Sequence, residues 1–319
     1  MKTVFITRRL PRLAEDLLAK RFKVVANRKN QPITRRQLSQ AIVKYDAILS
    51  TVSDQFDADL LAQKKKLQVI SNYAAGLDNI DLQSARKNKV AVYNAPGVVT
   101  ESTADLTFAL LLSLVRQVGE ARQFVRQNKW RGWNPEMFLG EELSGKTFGI
   151  IGLGKIGQAV ARRAAGFGLR VIYCRRPRSK SPQVVIDAHL VTLATLFKES
   201  DYISLHLPLN QSTRHLINRQ AIKQMKKRPI IINLARGAVI ETAALLTALR
   251  SGQLRGACLD VTAPEPLAKS HPLFKLENCL IVPHIGTATL EGRQAMAKLA
   301  AENIINHFLH EAKNRRPAK

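Results

Sequence analysis

Residues 148–157 read Phe-Gly-Ile-Ile-Gly-Leu-Gly-Lys-Ile-Gly, an apolar run closed by three spaced glycines. The run Phe148–Ile151 suits a buried strand, and the amphipathic stretch Lys155–Phe167 suits a helix. Between them Gly152 permits a tight turn, Gly154 lets a pyrophosphate reach the backbone, and Gly157 lets helix and strand pack closely. The helix N-terminus then offers N–H groups and partial positive charge to phosphate. A bare glycine turn says little. In strand–turn–helix context it reads as a dinucleotide site.

The next strand, Leu169–Cys174, bears on which dinucleotide. An NAD site carries Asp or Glu about 20 residues past the glycines, bonded to the ribose 2′-hydroxyl. Here the chain reads Arg175-Arg176-Pro177-Arg178, with no acid. A guanidinium can grip a 2′-phosphate through two charge-assisted hydrogen bonds. A solvated basic loop is the competing reading. The missing acid favours NADP(H) as the expected cofactor, with NAD(H) also open.

The 319 residues suit two domains, and 45% apolar composition excludes a disordered chain. The N-terminal apolar run is too short for a signal peptide, and the apolar helix around Leu106–Val115 is too short for a membrane span. Cys174, Cys258 and Cys279 are odd in number and lack metal-ligand spacing, so we expect reduced thiols, no metal and a cytoplasmic protein. The formal charge of +26 favours anionic partners. The basic residues are scattered, not gathered on one helix with interleaved aromatics. That favours a solvated basic surface over a nucleic-acid site.

Across residues 1–97, short strands (Val4–Ile6, Val24–Ala26, Ala47–Leu49, Val69–Ser71, Val90–Tyr93) alternate with helical patterns, which implies a parallel sheet covered on both faces. One long helix, Val99–Gln127, is expected to connect the domains. The aromatic loop Trp130–Leu143 follows it. A second series then places strands at Phe148–Ile151, Arg170–Cys174, Tyr202–Leu205, Ile230–Leu234, Ala257–Leu259 and Leu280–Val282. The last helix, Leu290–His310, is expected to return to the first domain. The predicted fold is α/β, with two doubly wound parallel-sheet domains. One is a substrate domain (1–97 plus 288–319) and the other a Rossmann coenzyme domain (98–287).

Three polar residues follow successive strands of the second series: Arg236 after Ile230–Leu234, Glu265 after Ala257–Leu259, and His284 after Leu280–Val282. Open parallel sheets place ligands at that edge. Singly, each has a plain structural reading as a surface or turn residue. Together they are the types that hydride transfer to a 2-oxo acid needs. A cation holds the substrate and polarises its carbonyl, an imidazolium protonates the oxygen, and a carboxylate orients that imidazolium.

Along nearly its whole length the chain resembles the D-isomer-specific 2-hydroxyacid dehydrogenases. The matching blocks are Asn-Tyr-Ala-Ala-Gly-Leu-Asp-Asn-Ile-Asp (72–81), the glycine turn with its strand (145–157), Asn-Leu-Ala-Arg-Gly (233–237), Leu-Asp-Val-Thr-Ala-Pro-Glu-Pro (259–266) and Pro-His-Ile-Gly-Thr-Ala-Thr (283–289). The resemblance implies a flavodoxin-like substrate domain and a catalytic triad of Arg236, Glu265 and His284, with His284 the proton donor. It implies that the Ala75 and Gly76 amides hold the substrate carboxylate and that Asp260 binds the nicotinamide carboxamide. Lys155, Ile156, Pro208, Thr213, Ala235 and Gly286 would line the cofactor, and Thr103 would approach the nicotinamide.

Within that family the chain is similar to the glyoxylate/hydroxypyruvate reductases. Residues 130–140, Trp-Arg-Gly-Trp-Asn-Pro-Glu-Met-Phe-Leu-Gly, look like their dimer loop, which implies a homodimer with Trp133 reaching the partner's substrate site. The Arg175–Arg176 pair suits that NADPH-preferring branch. The expected reaction is NADPH-dependent reduction of glyoxylate and hydroxypyruvate to glycolate and D-glycerate. A 2-ketogluconate reductase of the same family, or a nucleotide-sensing co-repressor, are the alternatives. Two departures stand out: small Ala74-Ala75 before Gly76, and the large positive charge.

Overall fold

The computed structural model describes residues 1–175 and 187–314, which form two compact units. One comprises Met1–Val99 with the stretch from Ala288 onward, and the other Thr100–Thr287.

In the first unit, β1 (Thr3–Ile6), β2 (Lys23–Ala26), β3 (Ala47–Ser50), β4 (Val69–Asn72) and β5 (Ala91–Tyr93) alternate with α1 (Arg12–Ala19), α2 (Arg35–Lys44), α3 (Ala58–Ala62) and α4 (Leu82–Lys87). The sheet runs β2-β1-β3-β4-β5, all parallel, the order of flavodoxin-like folds. Strand β3 is apolar at Ala47, Ile48 and Leu49 because both of its faces are covered. Ala47 and Leu49 pack with Ala14 and Leu18 of α1. Ile48 packs with Leu38 and Ile42 of α2 and Leu60 of α3. Each such fully buried Leu or Ile contributes about 1.5–3 kcal/mol of hydrophobic stabilisation.

At the start of the second unit, the single expected helix Val99–Gln127 is two, α5 (Thr100–Val115) and α6 (Val118–Arg126), because Gln117 takes a left-handed backbone, φ 51°. Helix α5 buries Phe108, Leu110 and Leu111, and it packs on the helix after the glycine turn. No residue of α6 is buried, so packing does not hold the two in one rod. The Gln117 side-chain amide donates to the Leu139 carbonyl at 2.9 Å, which fixes the break.

The unit continues with β6 (Thr147–Ile151), α7 (Lys155–Gly166), β7 (Arg170–Cys174), β8 (Ala188–Leu190), α8 (Leu193–Glu199), β9 (Tyr202–Leu205), α9 (Arg219–Lys223), β10 (Ile230–Asn233), α10 (Thr242–Arg250), β11 (Gly256–Leu259) and β12 (Cys279–Ile281). The strand β8 and helix α8 were not expected from the sequence. Helix α8 is capped by Thr192, whose hydroxyl accepts from the Thr195 amide. The parallel sheet runs β12-β11-β10-β9-β6-β7-β8. Counted from β6 this is the dinucleotide-fold order, extended by one edge strand. Ile150 and Phe148 of β6 face α5 and α7, while Ile151 faces the layer of α8, α9 and α10.

The last helix, α11 (Leu290–Asn314), packs on α1, β3 and β4 of the first unit. Its buried residues Ala297, Ala300, Ala301, Ile304 and Phe308 fall on one face at helical spacing, and the alanines permit close approach. Among the described residues, no helix is long and apolar enough to cross a membrane, and all three cysteines are free.

Candidate active site

The glycine turn joins β6 to α7. Gly152 has φ +96°, and a Cβ there would stand 2.3 Å from the His206 carbonyl oxygen. A Cβ on Gly157 would stand 2.2 Å from the Gly152 oxygen, so helix and turn meet only because that side chain is absent. A Cβ on Gly154 would meet nothing within 4 Å. Gly154 is also the N-cap of α7 and provides no side-chain cap, so the first-turn amides from Lys155 to Gly157 face an open shoulder. These features fit a pyrophosphate.

Strand β7 runs beside β6, with Ile151 opposite Cys174 and the Gly152 amide donating to the Cys174 carbonyl at 3.0 Å. Half-buried Arg175 therefore leaves the sheet next to the turn. Arg176 lies outside the described residues. Beyond β9, the Thr213 hydroxyl donates to the Pro208 carbonyl at 2.7 Å and accepts from the Asn210 amide at 2.8 Å, closing that loop.

Arg236, Glu265 and His284 leave the C-terminal ends of neighbouring strands β10, β11 and β12. His284 Nδ1 lies 2.6 Å from Glu265 Oε1. Burial pushes the Glu265 carboxyl up, but the hydrogen bond and charge of His284, the Thr262 amide and the Arg236 charge together hold it below its ordinary value. Glu265 is thus an anion beside the ring. With Nδ1 occupied, Nε2 is the nitrogen left for proton exchange. Arg236 comes close because Gly237 lacks a side chain: a Cβ there would lie 2.0 Å from the Thr262 backbone. The Arg236 Nη1 donates to the Ala235 carbonyl at 2.8 Å.

Two residues shape these loops. Asn233 Oδ1 accepts from the Ala235 amide at 3.0 Å, and its Nδ2 donates to the Arg236 carbonyl at 2.9 Å. Asp260 does the same for His284. Its carbonyl accepts from the His284 amide at 2.9 Å, and its carboxylate accepts from the Ile285 amide at 2.6 Å and the Gly286 amide at 2.9 Å. These bonds hold His284 in a left-handed conformation, φ 54°. Burial raises the Asp260 carboxyl above its usual range, against the pull of those two amides. The Thr103 hydroxyl donates to the Gly286 carbonyl at 3.2 Å. Asn233 stands in the block 233–237 with no role marked by the sequence. An amide side chain at the end of an apolar strand is its one sign in the sequence, and it does not say which backbone groups that side chain meets.

In the first unit, the Ala75 carbonyl accepts from Asn94 Nδ2 at 2.6 Å and the Gly76 carbonyl from Asn72 Nδ2 at 3.1 Å. Asn72 is itself tied to Ser50 and Asn79. Ala75 is exposed and Gly76 half-buried. Trp133 is 83% exposed, in the second unit.

A family model described as D-isomer specific 2-hydroxyacid dehydrogenase, NAD binding domain, matches residues 108–286. The chain is 45% identical over 306 residues to a glyoxylate reductase of Thermococcus litoralis, covering 95% of this chain and 92% of that protein. A solved structure of a Thermus thermophilus protein is 43% identical, with TM-score 0.88 over 95% of this chain and 96% of that one. An NADPH-dependent glyoxylate/hydroxypyruvate reductase of Sinorhizobium meliloti, solved with NADP and malonate, is 27% identical, with TM-score 0.83 over 96% and 93% of the two chains. The chain therefore belongs to the D-isomer-specific 2-hydroxyacid dehydrogenases, NAD(P)-dependent oxidoreductases with a Rossmann-type coenzyme domain.

Proposed function

We propose that the protein reduces glyoxylate and hydroxypyruvate to glycolate and D-glycerate, with NADPH preferred and His284 as the proton donor. The observation that carries this reading is the 2.6 Å contact between His284 Nδ1 and Glu265, with Arg236 on the neighbouring strand end. When bound, the reduced nicotinamide supplies hydride to the carbonyl carbon of the substrate. His284 gives the proton on Nε2 to the carbonyl oxygen and recovers one from solvent. Glu265 keeps the ring oriented and offsets its positive charge. Arg236 binds the substrate and draws electron density toward the carbonyl oxygen. The Ala75 and Gly76 amides are the proposed receivers of the substrate carboxylate.

In this reading Gly152, Gly154, Lys155, Ile156 and Gly157 hold the pyrophosphate, and Pro208, Thr213, Ala235, Asp260, Gly286 and Thr103 frame the nicotinamide side. The case for NADPH rests on Arg175 leaving β7 beside the turn, and on a sequence without an acid there. The exposed Trp130 and Trp133 suit a homodimer contact. Three free cysteines suit the cytoplasm.

Steady-state kcat/KM for glyoxylate, hydroxypyruvate, pyruvate and 2-ketogluconate with each coenzyme tests the proposal. We expect the first two substrates with NADPH to rank highest. Coenzyme binding without turnover of any of the four would overturn it in favour of a regulator.

A further inference from the structure

Neither the coenzyme nor a small 2-oxo acid accounts for the charge of +26, and part of that excess lines a cavity in the first unit. The cavity, about 840 Å³, is bounded by the ends of β1 and β2 and the start of α1. Ile6, Leu10, Pro11 and Ala26 contribute apolar surface, and Arg8, Arg9, Arg12 and Arg28 contribute four guanidinium groups. Its size falls within the roughly 300–1,000 Å³ of small-molecule sites. Its position, outside the carboxyl ends of parallel strands, is where open α/β sheets take ligands.

The four arginines are not equivalent. Arg28 is neutralised by Glu15 through two contacts, at 2.9 and 2.6 Å. Among the described residues, Arg8 makes only long hydrogen bonds of 3.5 Å, to the Ser53 hydroxyl and the Asn30 carbonyl. Among the described residues, no carboxylate pairs with Arg8, Arg9 or Arg12. Three guanidinium groups around one cavity repel each other unless an anion lies between them. Their planar donor forks match phosphate oxygens. The α1 N-terminus adds its partial positive charge on the same side.

We propose that this cavity is a binding site for a small phosphate-bearing anion, held by Arg8, Arg9 and Arg12 and separate from the glycine turn. All of its lining residues belong to the first unit, so the inference does not rest on the proposed reaction.

The test is calorimetric titration of the full-length protein with inorganic pyrophosphate, the coenzyme sites being filled by saturating NADPH. The wild type is compared with an Arg9→Gln/Arg12→Gln variant. Both residues are exposed and bear no core packing, and an unchanged unfolding temperature confirms that the variant is folded. The expected result is saturable binding to the wild type, weakened about tenfold or more in the variant, with turnover of 2-oxo acid unchanged. No binding to the wild type, or equal affinity in both proteins, would overturn the proposal.

Discussion

Glu265 Oε1 and His284 Nδ1 meet at 2.6 Å although nineteen residues separate them in the chain. The meeting depends on the parallel pairing of β11 and β12, which brings the two loops to the same sheet edge. Neither residue holds this geometry alone. Asp260 fixes the His284 turn through three backbone amides, and the Thr262 amide donates to Glu265 Oε2 at 3.3 Å.

The first prediction concerns the charge on Glu265. Its carboxyl sits below the ordinary range, so its ionised form stabilises the fold above the unfolded carboxylate range, about pH 4.3. That contribution declines as pH falls below this range and is gone once pH has passed the depressed folded value. In His284→Gln the main lowering partner is gone and burial is opposed only by the Thr262 amide and the Arg236 charge, so the Glu265 pKa rises. Carbon-13 NMR titration of the Glu265 carboxyl checks this, and identical titrations in the two proteins would refute it.

Arg236 is predicted to act on substrate and transition state together. Arg236→Lys keeps a positive charge but loses the planar fork, so KM for glyoxylate rises and kcat falls, with kcat/KM down about 10²-fold. Coenzyme affinity, measured by NADPH fluorescence, stays within a factor of about two. A normal KM for glyoxylate would remove Arg236 from substrate binding.

Coenzyme choice is predicted to follow the end of β7. Replacing Arg175 with Asp and Arg176 with Ser raises the NADPH KM much more than the NADH KM, because a carboxylate repels a 2′-phosphate and suits a 2′-hydroxyl. Equal changes for the two coenzymes would contradict the assignment.

A fourth prediction uses a histidine outside the triad. His206, at the end of β9, shares a 2.7 Å hydrogen bond with the Ser204 hydroxyl, and burial pushes its pKa down to about 4. The unfolded chain takes up that proton below about pH 6.5, so stability is lost as pH falls from there toward 4. Part of the residue is exposed, so the loss by pH 5 is on the order of 1 kcal/mol. His206→Asn should unfold with a smaller drop in melting temperature between pH 7 and pH 5 than the wild type. Equal drops would show that His206 is not the group responsible.

Much of the architecture is legible in residue patterning. Buried parallel strands must be apolar on both faces, so β3 over Ala47–Leu49 and β10 over Ile230–Ile232 read as continuous hydrophobic runs, and the glycine turn is marked by its spacing. The failures have local causes. The helix break at Gln117 is hidden because glutamine is a good helix former, and the break depends on a carbonyl more than twenty residues away, at Leu139. Strand β8 has only three residues, half-buried or exposed, so it carries no clear period. Helix α8 did carry a signal, Thr192 as cap with Leu193, Leu196 and Phe197 spaced along one face. The three chemical residues stand out because each follows an apolar strand. The bracing by Asn233 and Asp260 does not, since a polar residue at a strand end gives no hint of which amides it will meet.

Proton donation by His284 is the central claim, and single-turnover reduction of glyoxylate by His284→Ala tests it most directly. The account predicts that the hydride-transfer rate at pH 7 falls by about 10³-fold or more while NADPH affinity stays within a factor of about two. A single-turnover rate within tenfold of wild type, at undisturbed NADPH affinity, would contradict it.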